Sequence, residues 1–337
     1  MDKKQKLNSN RNRNGTLSPL LGMLIKDFSL NDLLSKQEQS LRPYNPRSDS
    51  SQAMNYISQF LPVRMLRIVL HGILIKTGIW KRLIYSNLKL DWFYEFKEYW
   101  EKELGGRPLA PNDFWFLYGV TRLAQAEARY LEEKDEQDPN QFLGSWRQTA
   151  ISLRLIFHNT LKLALHPLVA YRFVKYIPKG ARVCEYGCGI APITNSLIKY
   201  YPHLKLKFTC ADIPHLLFHY MRWRFRSYDF VECLPINDPL DENPLGDRKY
   251  DVIFVMAVFE HLPKPLAIAK HLHNALVEGG ILIFDYIKSE AKGLDSYAGL
   301  KERLEVLKFI QKHFEILEGE IYLDGRNVGV VICRKTR

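Results

Sequence analysis

No stretch of this 337-residue chain stays apolar for the roughly 20 residues that a membrane-spanning helix needs. The most apolar region, Ile57 to Tyr85, is interrupted by Arg64, Arg67, Lys76, Lys81 and Arg82, which excludes an integral membrane protein. LSPLLGMLI, Leu17 to Ile25, follows a basic start, but no small-residue cleavage site comes after it and a secretory leader is not expected. Cysteine pairs are also missing. Cys184, Cys188, Cys210, Cys233 and Cys333 are odd in number, lack C-x-x-C spacing, and fall in or beside predicted buried strands or a glycine turn. They read as small core residues of a reducing compartment, with no metal site expected. No fixed-period repeat is visible, which excludes solenoids and propellers.

An excess of charge is absent from most of the chain. Of the Lys and Arg, 15 lie in Met1 to Leu90 against 5 Asp and Glu, which leaves 33 against 32 beyond it, so the formal +11 belongs to the N-terminal part. Residues 1–50 are polar and read as a disordered basic tail. In 62–85, Arg64, Arg67, His71, Lys81 and Arg82 share one stripe at helical spacing beside a broad aliphatic face that Lys76 breaks. This imperfect basic amphipathic helix has three open placements: within a helical domain, peripherally on an anionic membrane, or on nucleic acid. Gly72 and Gly78 weaken it.

Hydrophobic residues make up 46% of the chain, enough for a sizeable core. The pattern divides it into the tail 1–50, a helical N-terminal domain 51–178 that would supply a lid or acceptor pocket, and a second domain 179–337. DWFYEFKEYWEKELGG is a helix with a Gly-Gly stop, and a further helix or pair is expected from Phe142 to Tyr176. Aromatics such as Trp92, Phe93, Tyr94 and Trp100 are numerous enough to line a pocket, although packing against neighbouring helices is the better account of most of them. After Gly180 strand, turn and helix alternate: RVCEYG, LKFTCADI, FVECLPI, DVIFVMAVF and ILIFDYI read as strands between helices, and FEILEGEIYL with VGVVICRK as a closing hairpin. Strands this apolar imply a mostly parallel α/β sheet with helices on both faces, Rossmann-like, seven-stranded, with an antiparallel C-terminal hairpin.

ARVCEYGCGIAP, Ala181 to Pro192, places a carboxylate just ahead of a glycine-rich turn. A dinucleotide fingerprint fails here, because its third glycine falls on Pro192 and Glu185 would repel a pyrophosphate. Glu185, Gly187 and Gly189 resemble the first motif of the class I S-adenosylmethionine-dependent methyltransferases, an acidic residue followed by G-x-G-x-G, with Ala191 at the third glycine. Alanine there is expected to narrow the turn slightly. KYDVIFVMAVFEHLPKP and HLHNALVEGGILIFDYI resemble the family's fourth and fifth strands. The resemblance covers about residues 178–337. It implies S-adenosylmethionine as cofactor, contacted by Glu185, Gly187, Gly189, Ala191, Asp212, Ile213, Asn237, Asp238 and Met256, with Asp212 on the ribose hydroxyls and Asn237 or Asp238 near the adenine. No metal is implied.

The Glu-His pair after the fourth strand, Glu260 and His261, supplies the candidate catalytic residues. His261 is either a general base for a hydroxyl acceptor or a group that hydrogen-bonds the loop and positions the cofactor edge. His271 and His273 read as surface residues, and RWRFR, Arg222 to Arg226, as the exposed face of its helix. The strand ends VFEH, unlike the Asn/Asp-Pro-Pro-aromatic sequence of amino-directed nucleic-acid enzymes, and there is no Pro-Cys nucleophile, so nucleic acid is the disfavoured acceptor. The resemblance implies O-methylation of a small-molecule, saccharide or lipid-linked acceptor in the cytoplasm, with a peripheral place at the inner membrane surface if the basic helix binds lipid. An RNA-directed enzyme and a non-catalytic cofactor-binding scaffold are the alternatives. The sequence carries no sign of oligomeric state.

Overall fold

Apolar segments and amphipathic stretches alternate from Arg182 onward as strands and helices in the computed structural model, which describes residues 91–105, 152–153, 155–160, 168–288 and 295–336. The expected tail of 1–50 and the basic helix of 62–85 lie outside the described residues. The strands are β1 (Arg182–Tyr186), β2 (Lys207–Asp212), β3 (Val231–Pro235), β4 (Tyr250–Val255), β5 (Leu276–Tyr286), β6 (Phe314–Glu318) and β7 (Val328–Lys335). Helices α1 (Asp91–Glu98) and α2 (155–160) precede the sheet; α3 (Pro192–Tyr200), α4 (Leu216–Arg224), α5 (Pro265–Ala275), α6 (Tyr297–Lys301) and α7 (Arg303–His313) connect its strands. Among the described residues no helix is long and apolar enough to cross a membrane.

The sheet runs β3-β2-β1-β4-β5-β7-β6. Every neighbouring pair from β3 to β5 is parallel, and β7 is antiparallel to both β5 and β6, as the sequence pattern requires. The chain builds outward from β1 through β2 to β3, then returns to the other side of β1 with β4. That reversal opens a crevice above the C-terminal ends of β1 and β4, where sheets of this kind bind ligands.

Two-residue periodicity sends alternate side chains to opposite faces. Ile253, Val255, Leu282 and Phe284 pack with Ile268 and Leu272 of α5 and Val306, Leu307 and Ile310 of α7. Val183, Phe208, Val252, Phe254 and Ile283 pack with Ile193 and Leu197 of α3. Ala170, Phe173 and Ile177 complete that second face, and the Phe173 ring meets Phe254 edge-on at 5.4 Å. Residues 168–176 do this as turns and a short 3₁₀ stretch, not as the end of the α-helix expected to reach Tyr176. Cys184, Cys188, Cys210 and Cys333 are buried free thiols in this core.

α1 continues through a π-helical turn, Tyr99–Glu103, and stops near Gly105, whose φ of +69° suits glycine. Its Phe96, Tyr99 and Trp100 are fully buried. Phe96 and Tyr99 pack on Tyr220 of α4, at 5.9 and 4.8 Å between ring centres, and Phe96 also meets Phe157 of α2 at 5.0 Å. Trp100 is buried, with the Phe96 ring of its own helix at 6.1 Å, while Tyr94 is exposed. The face of α4 expected in solvent is largely buried. Trp223 is 8% exposed and the Arg224 side chain 6%, because α1 covers them, whereas Arg222 and Arg226 remain outside. His271 is buried too, and its Nε2 accepts from the Leu245 amide at 3.2 Å. His273 sits at the rim against Phe309 and Phe314.

The turn after β1 holds the tightest approach in the crevice. A Cβ on Gly187, where φ is +65°, would overlap the Val258 side chain and lie 2.8 Å from its Cγ1. Ala191 has φ +51° and ψ +62° at the N-cap of α3. An alanine at the third glycine position thus costs backbone strain more than space, about 1–2 kcal/mol for an L-residue in this region. Opposite signs are expected from two substitutions read by denaturant midpoint. Gly187→Ala should lose about 1–3 kcal/mol through overpacking, whereas Ala191→Gly should be neutral or gain up to about 1 kcal/mol.

Candidate cofactor and catalytic site

Three strand ends converge on the turn. Glu185, in β1, is 5% exposed, and its two oxygens accept from the Ile193 amide at 3.2 Å and the Thr194 amide at 2.8 Å. These are otherwise unpaired N–H groups in the first turn of α3, where a carboxylate also meets the positive end of the helix. Burial pushes Glu185 up to about 7, against the opposing pull of Thr194, Ile193 and Arg224. From β2, Asp212 accepts the Gly189 amide at 2.6 Å on one oxygen and the Ile213 amide at 2.7 Å on the other. The amides of Gly187 and Cys188 both bond the Ala211 carbonyl, at 2.8 and 3.2 Å. Glu185, Gly187, Gly189, Ala191, Asp212 and Ile213 are thereby brought into one hydrogen-bonded cradle.

The remaining candidates border it. Ile236, after β3, donates to the Asp212 carbonyl at 2.8 Å, which sets Asn237 and Asp238 in the next loop. Both are exposed, and Asp238 Oδ1 caps its own loop through the Leu240 amide at 2.9 Å. β4 ends at Val255, not at Phe259 as its apolar run suggests, because Ala257 turns left-handed with φ +54°. Met256 is half-buried at that bend and Ala257 is exposed beside it.

A carboxylate that carried no motif holds the bend. Asp285, buried in β5, accepts the Ala257 amide at 2.6 Å. An aspartate inside the apolar run ILIFDYI was the available signal. Beyond the bend, Phe259–His261 form a 3₁₀ turn with Phe259 and Glu260 buried. α6 latches onto this turn: Ser296 donates its amide to the Glu260 carbonyl at 2.8 Å and its hydroxyl to the Leu262 carbonyl at 2.7 Å. Ser296, Tyr286 and Arg303 escaped sequence reading because their partners are distant in the chain.

Glu260 and His261 differ in surroundings although they are neighbours. The Glu260 side chain is 3% exposed, its Oε2 has no hydrogen-bond partner, and burial, reinforced by the nearby Asp285 charge, pushes it up to about 9. A carboxyl raised this far favours its protonated form at neutral pH. The His261 ring is 22% exposed, with Nε2 3.8 Å from Glu260 Oε1 and Nδ1 4.0 Å from Asp295 Oδ1. The ring stands beside both carboxyl groups. Among the described residues no cluster of three metal-ligating side chains is present.

Residues 157–315 match a family model described as a methyltransferase domain. A malonyl-[acyl-carrier protein] O-methyltransferase of Paenibacillus sp. (strain JDR-2) is 29% identical over 112 residues, 31% of this chain and 37% of that protein. Malonyl-[acyl-carrier protein] O-methyltransferase 1 of Ilyobacter polytropus is 25% identical over 150 residues, 43% of this chain and 52% of its own. The chain thus spans about half or less of the length of the curated relatives it matches. Among solved structures, an O-methyltransferase family protein from Burkholderia thailandensis superposes with a TM-score of 0.47 at 12% identity, covering 66% of this chain and 72% of that one.

The raised carboxyls predict a pH dependence with a definite sign. An unfolded glutamate releases its proton near pH 4.3, whereas native Glu260 keeps it up to about 9. In that window the native state binds the extra proton, so stability falls as pH rises. Glu260→Gln mimics the protonated form. Its melting temperature should equal that of the unaltered protein at pH 5 and exceed it increasingly towards pH 9, by roughly 2–4 °C for each kcal/mol removed. Glu185 acts in the same direction below about pH 7, so a residual slope should persist there. Parallel melting curves at pH 5 and pH 9 would contradict a buried neutral Glu260.

Proposed function

On the premise that this chain belongs to the class I S-adenosylmethionine-dependent methyltransferases, we propose that it transfers a methyl group to an oxygen of a small-molecule, saccharide or lipid- or carrier-linked acceptor. The observation that carries the reading is the cradle at the β1–β4 reversal, where Asp212 and the β1 turn tie two strand ends together under an open crevice. The matched relatives are malonyl-[acyl-carrier protein] O-methyltransferases, which supports oxygen as the target atom.

The residues fit the cofactor. The missing side chain at Gly187 lets Val258 close against the turn, and Asp212 with the backbone groups around it suits hydroxyls and an ammonium group, with no feature among the described residues demanding phosphate. Asp212 and Ile213 would hold the ribose side, Asn237 or Asp238 the adenine side, and Gly187, Gly189, Ala191 and Met256 the walls. Glu185 acts through α3, fixing the turn and adding negative charge beneath a cationic ligand. When bound, S-adenosylmethionine supplies a methyl carbon already activated by its sulfonium leaving group.

The chain's own work is then placement, exclusion of water and proton handling. Val258 and Phe259 are buried behind the turn and keep that wall dry. His261 takes the proton of a hydroxyl acceptor. Protonated Glu260 cannot serve as that base and instead offers a hydrogen bond. A carboxylate acceptor needs no base at all, so the dependence on His261 separates the two acceptor types.

Labelled S-adenosylmethionine incubated with the protein and either a malonyl-carrier substrate or fractionated extract tests the reading. Label in a base-stable ether or a base-labile ester of a small or carrier-linked molecule supports it, and label in RNA or no transfer overturns it. His261→Ala should lower turnover about 10²- to 10⁴-fold for a hydroxyl acceptor and far less for a carboxylate. Asp212→Ala should weaken cofactor binding by about 1.5–3 kcal/mol in calorimetry, the range for hydrogen bonds to a charged group. Unchanged affinity in the folded variant would remove Asp212 from the site.

A further inference from the structure

One buried side chain touches both α1 and the cradle. Arg224, at the end of α4, donates from Nε to Glu95 Oε1 of α1 at 2.8 Å and from Nη1 to the Ile190 carbonyl at 3.2 Å. Ile190 sits between Gly189, whose amide Asp212 holds, and Ala191, the strained N-cap of α3. The guanidinium is therefore satisfied only when α1 is seated on one side and the turn is closed on the other. Burial by itself would lower the Arg224 pKa, but Glu95, Tyr220 and Glu185 outweigh it and leave it raised. Taking away one partner strands a buried cation, which is far more disruptive than losing a surface ion pair.

The contrast with Arg226 is informative. Arg226 also lies near α1, with Nη2 3.9 Å from Glu98 and its guanidinium stacked 4.1 Å over Trp223, but it is half-exposed, lies just beyond the end of α4 and bonds the Trp223 carbonyl there. Of the two arginines, Arg224 alone bonds the turn.

We propose that Arg224 is a positioning residue that couples the seating of α1 to the shape of the cofactor turn. With Glu95 in place the guanidinium holds the Ile190 carbonyl and the turn stays closed around its ligand; with α1 displaced, the same guanidinium loses its carboxylate partner and turns to solvent, and the turn loosens. Coupling of this kind is reciprocal, so a ligand in the cradle tightens α1 in return. α1 belongs to the region expected to serve the acceptor, and the device would link acceptor-side closure to cofactor grip. The inference rests on the cofactor reading above, since the cradle must hold S-adenosylmethionine or its product.

Calorimetry with S-adenosylhomocysteine on the full chain, paired with hydrogen exchange of the 91–103 amides, tests it. Glu95→Gln and Arg224→Met should each weaken binding about 5- to 20-fold, towards the lower end of typical couplings. The double variant should be no weaker than Arg224→Met alone. Arg226→Met, which loosens a neighbouring contact without touching the turn, should bind like the unaltered protein. The ligand should also slow exchange in 91–103, and Glu95→Gln should abolish that protection. Glu95, with a side chain 27% exposed, keeps the test alive if Arg224→Met fails to fold. Unchanged affinity in Glu95→Gln, additive losses in the double variant, or ligand-independent exchange of α1 would each overturn the coupling. Failure of the unaltered protein to bind S-adenosylhomocysteine would instead overturn the cofactor reading and, with it, the coupling.

Discussion

The close approach of two backbones, the turn after β1 and the bend after β4, governs everything around the crevice. Gly187 has no side chain where Val258 packs, so the turn can fold down beside β4 and leave its amides directed inward. Once it is down, Asp212 reaches the Gly189 amide, Glu185 reaches the first turn of α3, and Ala191 is forced into a left-handed conformation. Ala257 accepts similar strain on the other wall because Asp285 holds its amide. Left-handed non-glycine residues gather at sites where surrounding contacts over-determine the backbone, and two of the three among the described residues flank this crevice.

Glu185, Arg224 and Glu260 all have buried side chains in this region, and each is stabilised differently. The Glu185 carboxyl is met by helix amides, the Arg224 guanidinium by a carboxylate of α1, and Glu260 avoids the penalty by keeping its proton. An uncompensated charge at any of these positions would cost several kcal/mol. The site's electrostatics are consequently inseparable from its folding. Glu185 is ionised only as far as α3 allows, and Arg224 is at ease only with α1 in place. Glu260 and the more exposed His261 differ although they are adjacent, because burial, reinforced by the Asp285 charge, raises the Glu260 pKa.

Much of this was legible in the residues. Strand periodicity determined the seven-stranded sheet and its closing hairpin, because apolar runs of this length can be satisfied only between two layers of helices. The resemblance to the methyltransferase first motif also pointed to the turn, its acidic residue and the aspartate that ends β2. What the sequence left undetermined were contacts between positions far apart in the chain. RWRFR has the composition of a solvated helix face, yet Trp223 and Arg224 are buried because α1, about 130 residues upstream, lies over them. DVIFVMAVF reads as one continuous strand, but a carboxylate from β5 draws Ala257 out of line and stops β4 at Val255. His271 resembles a surface histidine until the Leu245 amide is found against its ring. Local pattern reports backbone preference and the burial of a face, which depend on neighbours in sequence. The ionisation of Glu260, the partner of Arg224 and the bend at Ala257 depend on which groups the tertiary fold brings together, and desolvation acts only after they meet.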